Sequence, residues 1–149
     1  MKHPPEERVW QIMLIEDNLA DVRLTEEALR HSSRFELHVV RNGESAIEML
    51  HQEGSHSAAP LPDLILLDLN LPKKDGREVL AEIKEDPELK HIPIIVLTTS
   101  HSEADIINAY NLHANCYITK PVDLREFSTV MASLEHFWLM TATLPTRHD

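Results

Sequence analysis

Short apolar runs punctuate the chain at Trp10–Ile15, Leu37–Val40, Leu64–Leu67, Ile94–Leu97 and Cys116–Ile118, each bounded by turn or capping residues. Runs of this length, dominated by Ile, Leu and Val, predict strands buried on both faces rather than strands with one wet side. The intervals between them carry helical spacing. Leu19, Val22, Ala28 and Leu29 recur in the first, and Ala46, Ile47, Met49 and Leu50 in the second. Val79, Leu80 and Ile83 mark the third, Ile106, Ile107 and Tyr110 the fourth, and Leu124, Phe127, Val130, Met131 and Leu134 the last. Strand followed by helix, five times over, predicts an α/β fold: a doubly wound parallel sheet with helices on both sides. Boundary residues agree. Gly43 follows Asn42 at the turn into the second helix, Pro60 and Pro62 precede the third strand, Pro87 ends the third helix, and Pro93 opens the fourth strand. The stretch 54–62, rich in Ser, Ala and Pro, reads as a loop.

Beyond the fifth helix, Phe137, Trp138, Leu139 and Met140 form a dense apolar patch, followed by Leu144 and Pro145. Two readings stand at this point: a surface for a partner or a second copy, or an end that packs back on its own domain. With no internal repeat and no linker, the 149 residues are expected to form one domain with a core at about 11–140.

Composition narrows the function. The formal net charge is -11, with 25 acidic against 14 basic residues and no basic run, which works against nucleic-acid backbones and anionic membranes. Cys116 is the one cysteine, so there is no internal disulfide, and no apolar stretch is long enough to span a bilayer or serve as a secretory signal. A soluble, cytoplasmic protein is the expectation. The 10 histidines are scattered. His113 with Cys116 makes half a metal site without a second pair, and Cys116 reads as a small buried residue leading into the last strand.

Asp68 stands out because Ile65 to Leu71 is apolar almost throughout, and Asp68 is its one charged residue. An ionised carboxylate removed from water costs on the order of several kcal/mol, so it persists beside a metal, a partner charge or a solvent-open strand end. This segment alone reads equally well as a cap or turn residue following a strand. The other strand ends add meaning. Ligands of open parallel sheets bind at the carboxyl ends of the strands, and there the chain has Glu16-Asp17, Asp68, Thr98-Thr99-Ser100 and Thr119-Lys120-Pro121. If these strands are neighbours, three carboxylates, a hydroxyl run and a lysine converge at one edge. Clustered hard oxygens demand a cation such as Mg²⁺, with Asp17 and Asp68 as direct ligands, Glu16 acting through a water, and the backbone carbonyl of Asn70 adding an oxygen. A carboxylate so held can attack phosphorus and form an acyl phosphate, with Lys120 supplying charge to the phosphoryl oxygens and Thr98 a hydroxyl donor.

The joint pattern resembles the receiver domain of two-component response regulators. The matching residues are Glu16-Asp17, the run Asp68-Leu69-Asn70-Leu71-Pro72 with Asp75-Gly76, Leu97-Thr98-Thr99, and Tyr117-Ile118-Thr119-Lys120-Pro121. The resemblance implies a flavodoxin-like strand order 2-1-3-4-5 and phosphoryl transfer from a histidine kinase to Asp68. It also implies Mg²⁺ held by the acidic pair, Asp68 and Asn70, with phosphoryl contacts from Thr98 and Lys120 and a Lys120–Pro121 bond that is often cis. Tyr117 matches the aromatic switch, which fills space vacated as Thr98 moves toward the phosphoryl group and so changes the face of the fourth helix, fifth strand and fifth helix. More narrowly, the run from Asn70 to Leu80, Leu97-Thr98-Thr99-Ser100 and Phe137-Trp138-Leu139 are similar to the single-domain regulators of cyanobacterial and bacterial phytochromes. That likeness implies a phytochrome kinase as partner and a homodimer through Tyr117, Phe137, Trp138 and Leu139.

The sequence departs from the common pattern at two points. The acidic pair is Glu-Asp rather than Asp-Asp, and Thr99 stands where a smaller residue is frequent, which is expected to restrict access to the phosphoryl group and slow its hydrolysis. Rival functions lack their residues. A phosphatase of the haloacid dehalogenase type needs a second aspartate two places after the nucleophile, where this chain has Asn70, so no enzyme turning over external substrates is expected. A flavin- or nucleotide-binding loop needs Gly, Ser or Thr after the first strand, where Glu16-Asp17 would repel phosphate.

Overall fold

The computed structural model describes residues 9–30, 35–52 and 61–145. Five strands, β1 (Trp10–Ile15), β2 (Phe35–Val40), β3 (Leu64–Leu67), β4 (Ile94–Thr98) and β5 (Cys116–Thr119), alternate with five helices, α1 (Leu19–Leu29), α2 (Gly43–Leu50), α3 (Gly76–Glu85), α4 (Glu103–Asn111) and α5 (Leu124–Glu135). The strands form one parallel sheet ordered β2-β1-β3-β4-β5, the expected flavodoxin-like order. β2 begins two residues earlier than its apolar run, because Phe35 and Glu36 pair with Trp10 and Gln11. An edge strand tolerates the charge of Glu36. Most of the loop expected at 54–62 lies outside the described residues.

Alternation along the central strands divides the core. Ile12, Leu14, Leu64, Leu66, Ile95 and Leu97 face α1 and α5, where they meet Val22, Leu29, Phe127 and Met131. Met13, Ile15, Ile65, Leu67, Ile94 and Val96 face the other way, against Ala46, Leu50, Val79, Leu80 and Ile83 of α2 and α3. Each large aliphatic side chain fully buried in these layers contributes about 1.5–3 kcal/mol of transfer free energy. Asn18, Asn42, Asp75, Ser102 and Asp123 cap the five helices, each accepting a hydrogen bond from a backbone N–H of the first turn. α4 ends in a Schellman turn, with Ala114 N–H donating to the Ala109 carbonyl and His113 N–H to that of Tyr110. His113 takes the left-handed position, at φ 73°. It is thus a helix-ending residue, and Cys116 opens β5 half-buried rather than preceding it.

Some apolar positions do not face the core. Leu19 and Leu124 are exposed, each at the first residue of its helix, where the chain has yet to settle on the sheet. In α4 Ala109 is buried while Ile107 and Tyr110 are exposed, so the side expected to pack inward is largely open.

After α5 the chain widens into a π-helical segment, His136–Thr141. Leu139 is thereby buried on the α1/α5 side together with Leu144, and this end packs back on its own domain. Leu139 therefore cannot contribute to a partner face as expected: its side chain is consumed by the core. Phe137 and Met140 remain exposed, and Phe137 meets the partly buried Trp138 edge to face with centroids 5.4 Å apart. Among the described residues there is no cis peptide bond, so Lys120–Pro121 is trans rather than cis. No helix among them is long and apolar enough to cross a membrane.

Candidate functional site

Hydrogen bonds continuing the strand ladder bring the polar strand ends together. Asp68 N–H donates to the Ile15 carbonyl at 3.0 Å, Glu16 N–H to that of Val40 at 2.9 Å, and Lys120 N–H to that of Thr98 at 2.7 Å. The order β2-β1-β3-β4-β5 makes these strands consecutive neighbours. Parallel strands present all their carboxyl ends on one edge, so four separate segments deliver Glu16, Asp68, Thr98 and Lys120 to one place.

The loop after Asp68 is clamped by the chain's close approaches. Gly76 N–H donates to the Leu69 carbonyl at 2.9 Å. A Cβ on Gly76 would collide with the Asp68 carbonyl and lie 2.6 Å from Leu69 Cα. Gly43 similarly leaves no room, because the Lys74 carbonyl lies against it. Glycine is required at both places by contact alone.

At the centre the Lys120 ammonium donates to Glu16, to Asp21 Oδ2 at 2.8 Å and to Asp68 Oδ2 at 3.3 Å. Asp68 and Lys120 are only 8% and 7% exposed, and Glu16 is buried as well. Burial pushes the Glu16 carboxyl up to about 7, against the lowering influence of Lys120, and the Asp68 charge adds to the rise. Burial alone would lower Lys120, but its hydrogen bonds to Asp21 and Glu16, with the charges of Glu16 and Asp68, outweigh that and raise it. The ammonium therefore stays charged. The other Asp68 oxygen, Oδ1, accepts from Asn70 N–H at 3.2 Å.

Asp21 is a member of this cluster that the motif pattern did not single out. It lies in the first turn of α1, where its own N–H donates to the Asn18 cap at 3.0 Å. The available signal was its place three residues after a capping Asn that itself follows the acidic pair. Asp17 departs from the expected convergence. It is half-exposed, 3.9 Å from Arg41 Nη2, and takes no part in the Lys120 contacts. Adjacent residues leaving a strand point to different sides, so Glu16 enters the cluster and Asp17 turns out.

Thr98 is completely buried, and its hydroxyl has no hydrogen-bond partner among the described residues. An unpaired buried hydroxyl costs about 1–3 kcal/mol, which an incoming oxygen acceptor would relieve. Thr99 next to it is exposed. Tyr117 O–H donates to the Ser100 carbonyl at 2.9 Å, tying the aromatic on β5 to the segment just after Thr98. Ser100 O–H in turn donates to Asp105 at 2.6 Å, and Asp105 pairs with Arg77 at 3.1 Å. These two partners, Ser100 foremost, hold the Asp105 carboxyl below the usual carboxylate range.

The donor chemistry of Glu16, Asp17, Asp68 and the Asn70 carbonyl fits a hard divalent cation. Among the described residues no three acidic, His or Cys side chains are grouped to hold a metal ion. Lys120 provides the positive charge between Glu16 and Asp68, and Asp17 faces away.

Comparison with known proteins shows the family. Residues 12–132 match the response regulator receiver domain. The response regulator Rcp1 of Synechocystis sp. is 54% identical over 135 residues, covering 90% of this chain and 92% of that protein. The probable methanogenesis regulatory protein FilR2 of Methanothrix harundinacea is 40% identical over 133 residues, covering 86% and 83%. The crystal structure of the phosphorylated cyanobacterial phytochrome response regulator RcpA superposes with a TM-score of 0.90 at 56% identity, covering 93% of this chain and 99% of that one. The Mn²⁺-bound form of Rcp1 gives a TM-score of 0.89 at 53% identity, covering 92% and 99%. With the fold, the family match over most of its length and relatives of this identity, the chain belongs to the response regulator receiver domain family.

Proposed function

We propose that this chain is a single-domain response regulator of a two-component phosphorelay that accepts a phosphoryl group on Asp68 from a histidine kinase, a phytochrome being the kinase class. The observation that carries this reading is the buried contact between Asp68 and the Lys120 ammonium at the carboxyl edge of a parallel sheet. An Asp68 carboxylate oxygen attacks phosphorus, the bond from phosphorus to the kinase's histidine nitrogen breaks, and the departing imidazole takes up a proton. Lys120 holds a fixed positive charge against the phosphoryl oxygens, and the unpaired Thr98 hydroxyl donates to one of them. Asp68 and the Asn70 carbonyl, with Glu16 through a water and Asp17 once turned in from Arg41, would hold Mg²⁺, which would neutralise phosphoryl charge. Asn70 offers no general acid, so the chain acts as a signalling protein and not as a phosphatase of external substrates.

The relatives' association with phytochrome signalling supports the kinase class. Tyr117 serves as the switch: as Thr98 turns toward the phosphoryl group, its ring leaves the Ser100 carbonyl, and the face of α4, β5 and α5 changes. Tyr117, Phe137 and Trp138 then form the face of a homodimer, with Leu139 bracing it from inside.

Incubation with Mg²⁺ and acetyl phosphate, followed by mass measurement, tests the acceptor. Wild type gains the mass of one phosphoryl group and Asp68→Asn gains none; no gain in wild type would sink the assignment. Light scattering before and after phosphorylation tests the face, because Phe137→Asp should leave a monomer under conditions where wild type pairs.

A further inference from the structure

Asp21 lies outside the residues assigned to phosphoryl chemistry, yet it holds Lys120 more closely than Asp68 does, at 2.8 Å against 3.3 Å. Its position is fixed by the fold. Its N–H is bonded to the Asn18 cap, its carbonyl accepts from the Thr25 hydroxyl at 2.8 Å, and Thr25 is itself buried. The carboxylate sits in the first turn of α1, where the helix dipole favours a negative charge. It is 23% exposed, whereas the Lys120 side chain is 4% exposed, so the ammonium reaches outward to a carboxylate at the rim of the site.

We infer that Asp21 is a positioning residue that shares the Lys120 ammonium with Asp68 and so weakens its hold on the acceptor oxygen until a phosphoryl group arrives. The inference rests on Asp68 being the acceptor. A lysine ammonium has three donors, and here they are divided among three carboxylates. Glu16 and Asp21 draw the ammonium toward themselves and leave Asp68 the longest of the three contacts, and Asp21 also adds a negative charge facing any incoming dianion. When Asp68 carries the phosphoryl group, its oxygens outcompete the rim carboxylate, and Lys120 exchanges Asp21 for phosphoryl oxygen. Asp21 thus slows phosphoryl transfer to Asp68.

The test compares wild type, Asp21→Asn and Asp21→Glu at saturating Mg²⁺ and constant pH, with acetyl phosphate as donor and mass as readout. Asp21→Asn is expected to be phosphorylated faster, on the order of threefold to fivefold, the scale of removing one partly exposed charge from an ion pair. Asp21→Glu restores the slow rate. An unchanged or slower rate in Asp21→Asn overturns the proposal. In wild type, the Asp21 side-chain carboxylate ¹³C resonance should shift on phosphorylation as Lys120 leaves, independently of how any variant folds. An unshifted resonance in fully phosphorylated protein overturns the proposal as well. If wild type takes up no phosphoryl group at all, the acceptor assignment fails first, and the two failures are distinct.

Discussion

At the scale of single residues, the site depends on contacts too close for ordinary substitutions. Gly76 packs on the backbone that carries Asp68. Gly76→Ala should lower stability by about 1–3 kcal/mol, the usual range for forced overpacking, and displace the backbone of Asp68. Urea unfolding and the phosphorylation rate would both register it; a variant with wild-type values for both refutes the close approach as a constraint. Thr99 is exposed beside the buried Thr98, in a place to screen an acyl phosphate from water. Thr99→Ala should therefore hydrolyse the phosphoryl group severalfold faster, measured as loss of the added mass after donor removal, and an equal or longer lifetime would exclude this screening role. Asp68 itself was visible from its cost among apolar neighbours, whereas the outward turn of Asp17 depended on how the chain leaves β1, and the inclusion of Asp21 on how the first turn of α1 sits over Lys120.

Among the elements, helix ends offer the clearest energetics. His113 holds a left-handed conformation at the end of α4, a position where a Cβ is penalised and glycine is not. His113→Gly should stabilise the protein by about 0.5–1 kcal/mol and raise Tm by roughly 2–3 °C for a domain of this size, readable by calorimetry. Asp86, capping the end of α3, bonds His51 at the end of α2 at 2.9 Å. The hydrogen bond from His51, then that from Glu88 N–H, holds its carboxyl below the usual range. A carboxylate depressed in the folded state contributes stability above its unfolded pKa and loses it as pH falls through the folded value, so the loss lies below about pH 4. Asp86→Asn should lower stability modestly at neutral pH and flatten the acid limb, because wild type loses the same contribution below about pH 4; an identical acid limb would remove this pair from acid denaturation. The helical spacing predicted α1 to α5, but not that α4 leaves Ile107 and Tyr110 exposed, because spacing identifies an apolar side without saying what element covers it.

For the whole molecule, a net charge of -11 and a carboxylate-rich edge favour cation binding. Mg²⁺ that binds the folded chain alone should add about 2.7 kcal/mol of stability at a hundredfold excess over Kd. Thermal unfolding in MgCl₂ against NaCl of equal ionic strength separates this from general screening, and Asp17→Asn should lose most of the difference. Equal melting in the two salts would count against a specific metal site. The C-terminal segment shows the same dependence on the assembled fold: its apolar run left two readings open, and packing divided the run between them, with Leu139 and Leu144 inward and Phe137 and Met140 outward.

The chain by itself determined its parallel α/β architecture, because short unbroken apolar runs, period-3.6 spacing and capping residues are local properties of the polymer. It also determined that the polar strand ends share one place, because topology sends every carboxyl end of a parallel sheet to one edge. Tertiary structure alone decided which of those side chains meet. The three carboxylates that share Lys120 come from β1, α1 and β3, up to 104 residues away from it, and their contacts follow from the direction each backbone leaves its element rather than from any neighbour in sequence.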